Sequence, residues 1–256
     1  MKTSNKNYKI LVLSDLKEPI TNVLKSTISL AKMIGADIQF FHVKRAAEIV
    51  ETDNQLSAMR KINREYITTD KKIRKEVFSF SSNFDVSINY AFSFGNVKEE
   101  IAKYIKDYKP DVIVLGKRKK NPLSIIGDNV TQFIMKNHKG AIMIASEKEI
   151  LEPNQPISLG LLNEKDTSIN IDFAEDLMKH AQQPLMSFNI VKNSNSLEKN
   201  PTPVSKNKVE YIFEKSDSVI KNLSNYISKN NINLLCVNRK NDYAFNKLNV
   251  SLLVTN

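Results

Sequence analysis

The stretch "VIVLGKRKKNPLSIIGDNVTQF", residues 112–133, decides the fold because it joins a short apolar run to a helical pattern through a basic, glycine-bounded loop. The run at 112–115 has the length of a buried strand, and residues 129–137 place their apolar side chains on one helical face. A buried strand, a basic loop and a helix N-terminus together can hold phosphate through backbone N–H groups. Four consecutive cations are also typical of a solvated loop, so both interpretations are open.

Short apolar strands alternate with helical patterns through the first 150 residues. Strands are predicted at 8–14, 37–43, 86–92, 112–115 and 141–145, and helices at 20–34, 47–82, 97–108 and 129–137. Strands that alternate with helices favour a parallel sheet with right-handed crossovers.

The same pattern restarts after Pro153. Strands are predicted at 156–162, 185–191, 209–213, 233–237 and 250–254, with helices at 169–182 and 216–229. The segment "INLLCVNRKN" matches "DVIVLGKRKKN", which indicates an internal duplication. A polar loop at 192–208 takes the place of the long charged helix of the first half, and residues 238–249 are too few for a loop and a full helix.

We therefore predict an α/β fold of two tandem doubly wound parallel five-stranded sheets. The domains are 1–150 and 151–256, and the second is a trimmed, degenerate copy with missing helices.

The order of these motifs resembles the universal stress protein family in its tandem form, over nearly the whole chain. The matching stretches are "ILVLSD" ending at Asp15, "FFHV" ending at Val43, "GNVKEEIAKYIKDYKPDVIVLGKRKK" at 95–120 and "IIGDNVTQFIMKNHKGAIMIA" at 125–145. The resemblance implies a stress-response role and an adenine nucleotide (ATP or AMP) as ligand; no metal is expected, because the histidines His42, His138 and His180 share no ligand spacing. It also implies contact between the last strands of the two halves, 141–145 and 250–254.

Carried over position by position, the resemblance implies a nucleotide site in the first half. Asp15 and Val43 would face ribose and adenine, and Gly116 and Gly127 would bound the phosphate loop. The remaining candidate residues of this site are Lys117, Arg118, Lys119, Asp128 and Asn129.

The loop departs from the family pattern G-x2-G-x9-G-[S/T] at three points. Lys119 stands where the second glycine is expected, and only seven residues separate it from Gly127. Asp128 replaces the Ser or Thr, and its carboxylate would occupy helix N–H groups and repel a phosphate. In the second half Asn163 stands in place of Asp15, and Asn238 in place of Gly116. We therefore expect at most one nucleotide site, in the first half, with a poor fit for a triphosphate.

Several classes of function lack their residues in this sequence. The single cysteine, Cys236, excludes a disulfide framework, and the three histidines share no metal-ligand spacing. No nucleophile elbow or P-loop motif is present. Apolar runs fall far short of the ~20 residues that span a bilayer. We expect a non-enzymatic cytoplasmic protein without a membrane partner.

The net charge is +10, and residues 1–150 carry +9 of it. The cations are mixed with acids and lack an aromatic reading element, so phosphate-directed nucleic-acid binding is the least favoured function. The expected partners are an adenine nucleotide and an unidentified protein, within an intramolecular pseudo-dimer that leaves a further homodimer open. The alternative is a tandem universal stress protein that binds no nucleotide and acts through protein contacts.

Overall fold

A computed structural model describes residues 7–16, 20–45, 55–117, 130–163, 169–191, 208–240 and 247–255. The first half contains β1 (Tyr8–Ser14), α1 (Thr21–Ile34), β2 (Ala36–Arg45), α2 (Gln55–Phe84), β3 (Ile88–Gly95), α3 (Val97–Tyr108), β4 (Val112–Gly116), α4 (Val130–Asn137) and β5 (Ala141–Ala145). The second half contains β6 (Leu159–Leu162), α5 (Ala174–Lys179), β7 (Leu185–Val191), β8 (Lys208–Glu214), α6 (Val219–Lys229), β9 (Leu234–Asn238) and β10 (Ser251–Thr255).

The strands form one sheet in the order β3-β2-β1-β4-β5-β10-β9-β6-β7-β8. Each half has the same order, with the first strand central and the last at the junction. All pairs within a half are parallel, and only the junction pair β5–β10 is antiparallel, with Leu253 opposite Met143. The two predicted sheets are therefore one ten-stranded sheet, because the apolar last strands, which would be exposed edges in isolated halves, cover each other.

Helices cover both faces of this sheet, as in doubly wound folds. One face packs against α1, α2 and α5, with Ile28 and Ile73 fully buried, and the other packs against α3, α4 and α6. The central strands β1, β4 and β9 are buried on both faces, which is why they read as unbroken apolar runs. Cys236 lies in β9 and is buried.

Three predicted elements of the second half are shorter in the structure, and one of them is the helix predicted at 216–229, which begins at Val219. The helix predicted at 169–182 is only α5, and it ends at Lys179 because the backbone at residues 180 and 182 bonds to Ile157 instead of continuing the helix. Ile157 N donates to His180 O at 3.0 Å, and Gln182 N donates to Ile157 O at 2.8 Å. Ile157 is thereby withdrawn from the strand predicted at 156–162, which begins at Leu159. The second half was predicted to lack helices at 192–208 and 238–249. Of these segments, residues 192–207 and 241–246 lie outside the described residues.

Candidate functional site

The carboxyl ends of β1, β2 and β4 meet at one edge of the sheet and bring three predicted site residues together. Ser14 lies opposite His42, and Leu13 lies opposite Leu115. Asp15 and Val43 follow the first of these pairs and Gly116 follows Leu115, so the three lie at neighbouring strand ends, with Gly116 one position before the level of Asp15. A side chain at Gly116 would place its Cβ 2.9 Å from the Val23 side chain, which requires glycine or a shift of α1.

His42 fastens the ends of β1 and β2 to each other. Its Nδ1 lies 2.8 Å from the Ser14 carbonyl oxygen, and the ring is buried. Burial lowers the pKa of His42, so the ring is neutral at pH 7 and donates from Nδ1. His42 is therefore a buried histidine that holds a hydrogen bond to the backbone.

The long helix α2 reaches over the outer side of this edge. Lys72 Nζ donates to the Leu16 carbonyl oxygen at 2.6 Å, and Leu16 holds a positive φ of 58° just after Asp15. Lys44 Nζ lies 2.5 Å from the Glu65 carboxylate, and this contact lowers the pKa of Glu65. These two lysine contacts fix the chain at the exits of β1 and β2.

Lys117, the first cation of the candidate phosphate loop, is directed toward the second half. Its backbone N–H donates to Ala145 O at 2.9 Å, and its ammonium donates to the Leu248 carbonyl oxygen. Burial lowers the pKa of Lys117. The contact was not anticipated from the sequence, where all four cations of the loop were treated alike.

Arg239 makes the corresponding contact in the opposite direction. It follows β9 as Lys117 follows β4, and its guanidinium donates to the carbonyl oxygens of Met135, His138 and Gly140. His138 and Leu248 each stand three residues before the last strand of their half. Each half therefore places one cation against the segment that precedes the last strand of the other half. We call these two residues, Lys117 and Arg239, the reciprocal cations. The match of "GKRKK" with "NRKN" was the sequence signal for this pair.

The second-half counterparts of the site residues are used for backbone contacts. Asn163 Oδ1 accepts from Ile190 N at 2.8 Å, and Asn163 adopts a positive φ of 55°. Asn238 Oδ1 accepts from Lys240 N at 3.0 Å. The side-chain oxygens of Asn163 and Asn238 therefore hold the chain at the ends of β6 and β9, at the positions that correspond to the candidate nucleotide site of the first half.

The rest of the predicted phosphate loop, Arg118, Lys119, Gly127, Asp128 and Asn129, lies outside the described residues. In the part of the chain that the structure describes, two surface depressions lie elsewhere. One of about 420 Å³ lies between α6 and residues 247–249, and one of about 400 Å³ lies along α2. Among the described residues no His, Cys, Asp or Glu side chains form a group of three that could hold a metal ion. No helix within these ranges is long and apolar enough to cross a bilayer.

Comparison with known proteins gives one family and one recurring fold. The family model described as "Universal stress protein family" matches residues 7–145. A universal stress protein from Archaeoglobus fulgidus DSM 4304 superposes with a TM-score of 0.67 at 14% identity, covering 96% of this chain and 95% of that one. A functionally unknown protein from Pseudomonas aeruginosa PAO1 has a TM-score of 0.56 at 11% identity, covering 97% and 92%. No curated protein matches the sequence.

Proposed function

The chain belongs to the universal stress protein family, and from this premise we propose a non-enzymatic, cytoplasmic stress-response protein with one adenine-nucleotide site. The site lies in the first half, where Asp15, Val43 and Gly116 adjoin at the ends of β1, β2 and β4. An open α/β sheet binds its ligands in this position, outside the carboxyl ends of the strands. The second half serves as the other subunit of an intramolecular pseudo-dimer.

The observation that carries this proposal is the asymmetry between the halves. In the first half a carboxylate, Asp15, stands at the end of β1 and is partly exposed. In the second half Asn163 occupies that position and holds the Ile190 backbone. A carboxylate can accept hydrogen bonds from ribose hydroxyls or from the base amine.

The ligand that fits best is a nucleotide with few phosphates. Lys117 gives its ammonium to Leu248 O, so one of the four cations expected to neutralise phosphate is already engaged. Lys119 and Asp128 depart from the family's loop in the direction that disfavours a triphosphate, through a Cβ and through a carboxylate. We therefore expect AMP to bind at least as tightly as ATP, and the protein to act by ligand-dependent contacts rather than by turnover.

Calorimetric titration of AMP into two single variants tests the assignment. Asp15→Ala removes a charge-assisted bond of about 1.5–3 kcal/mol, so affinity should fall tenfold or more. Asn163→Ala is the matched control: it should lower stability through the Ile190 contact and leave affinity unchanged. Equal loss of affinity in both variants would contradict a site confined to the first half.

The second candidate function is a family member that binds no nucleotide and acts through protein contacts. It is favoured by the engagement of Lys117 with Leu248, which leaves the loop one cation short. Mass spectrometry of material released on denaturing the freshly purified protein distinguishes the two. Adenine nucleotide in that fraction supports the first function, and its absence together with no calorimetric binding supports the second.

A further inference from the structure

The helix α2 carries most of the large apolar side chains that the structure leaves exposed. In the described residues eight large hydrophobic side chains are exposed, and six of them lie on this helix: Leu56, Met59, Ile62, Tyr66, Ile67 and Phe78. The helix packs on β3, the outermost strand of the first half, through Ile73 and Val77. Its outward side faces away from the sheet.

The outward side has a regular composition. Leu56, Ile67 and Phe78 are spaced by eleven residues, which is three helical turns, so they lie almost in line along the helix. Their side chains are 67%, 54% and 70% exposed. Between them, at steps of three and four residues, stand four exposed cations: Arg60, Arg64, Lys71 and Arg74. We call these seven residues the α2 ridge.

The ridge is basic as well as apolar. Within α2 seven Lys and Arg residues stand against three Asp and Glu residues. Glu65 is bound to Lys44, and Asp70 is bound to Tyr90 and Arg74. Lys71, Arg74 and Phe78 also line the depression of about 400 Å³ on this helix, so apolar and cationic groups share one surface there.

We propose that the α2 ridge binds the surface of an anionic lipid bilayer, with the helix lying in the plane of the headgroups. At such a surface the apolar side chains enter the acyl boundary while Lys and Arg stay at the lipid phosphates, so both kinds of residue are satisfied at once. The helix is about 45 Å long, and its three apolar side chains are spread over most of that length. The apolar runs of the chain are too short to span a bilayer, but a helix that lies on the bilayer surface does not need a spanning run.

Other binding partners match either the apolar side chains or the cations of the α2 ridge, but not both. A second copy of the helix would place cation beside cation, and the centres of protein interfaces are depleted of charge. A nucleic acid would neutralise the cations and could stack a base on Phe78, but Leu56 and Ile67 offer its bases no aromatic ring. An anionic bilayer meets both requirements.

Flotation of the full-length protein with vesicles tests the proposal. Binding is expected with equal phosphatidylglycerol and phosphatidylcholine, should weaken as salt rises, and should be absent with phosphatidylcholine alone. Each cation near an anionic surface contributes about fivefold in partition, so the double variant Arg60→Gln/Arg64→Gln should bind about 25-fold more weakly. The double variant Leu56→Gln/Phe78→Gln should lose binding by about tenfold or more, since both side chains leave the acyl boundary.

The matched control is Val209→Gln/Ile212→Gln, which removes the two other exposed hydrophobic side chains, on β8, and should leave flotation unchanged. Circular dichroism checks that every variant keeps the wild-type fold, as expected for such exposed positions. The proposal is overturned by equal flotation with neutral vesicles, by no flotation with anionic ones, or by ridge variants that bind like the wild type. A dimer that dissociates on Leu56→Gln, or a DNA duplex that binds more tightly than the anionic vesicles, overturns it as well.

Discussion

Replacing Arg239 by alanine should weaken the contact between the two halves. The effect should be larger than for the substitution of any other polar residue that is exposed or half-buried. The guanidinium donates to Met135 O at 2.9 Å and to Gly140 O at 2.6 Å, and also to His138 O. Three charge-assisted bonds of about 1.5–3 kcal/mol each set the upper bound. Because Arg239 is only partly buried, water replaces some of them, and we expect Arg239→Ala to cost about 2–4 kcal/mol.

Urea unfolding monitored by far-ultraviolet circular dichroism measures this cost. Lys240→Ala, at the exposed next residue, is the control and should stay within about 0.5 kcal/mol of the wild type. Arg239→Lys keeps the charge but not the planar fork, so its cost should lie between the two. If Arg239→Ala unfolds at the same urea concentration as Lys240→Ala, the reciprocal cations do not hold the halves together and the reasoning fails.

Three further predictions concern the same junction. Lys117→Met should lower the free energy of unfolding but change AMP affinity less than twofold in calorimetry, since its ammonium serves Leu248; a tenfold loss would assign it to the nucleotide instead. Burial and the nearby Arg239 lower the pKa of His138 to about 4, so the unfolded state takes up a proton that the folded state refuses. Stability should therefore fall by about 2–3 kcal/mol as the pH drops from about 6.5 to about 4, and His138→Gln should flatten this dependence in urea titrations. Residues 151–256 alone should aggregate, because β10 loses its partner β5; a soluble monomer that unfolds cooperatively would show that the strand is not needed at a junction.

Much of the fold could be predicted from the sequence because its central strands are buried on both faces. The runs around Ile10, Ile113, Ile142 and Leu235 are apolar without interruption, and each is a strand in the structure. The pairing of the last strands was also anticipated and is confirmed by the register of β5 with β10. What periodicity could not show is the end of α5, because the bonds of Ile157 to residues 180 and 182 depend on chain segments that meet only in the folded protein.

The candidate site was predictable only in part, for a similar reason. The choice of Asp15, Val43 and Gly116 follows from the resemblance to the family, and the strand order brings them to one edge of the sheet. The contact of Lys117 with Leu248 could not be predicted from the sequence. Leu248 lies 131 residues away, and it accepts through its backbone carbonyl, a group that every residue has. The exposure of Leu56 and Phe78 was likewise hidden in the sequence, since an apolar residue on a long amphipathic helix is read by default as core.

We propose one nucleotide site per chain, in the first half. Native mass spectrometry of the full-length protein titrated with AMP and with ATP tests this number, because it counts bound nucleotides per chain. We expect one AMP per chain at saturation, with ATP no tighter than AMP and with the bound species lost in Asp15→Ala. Two nucleotides per chain, or none at saturating AMP, would contradict it.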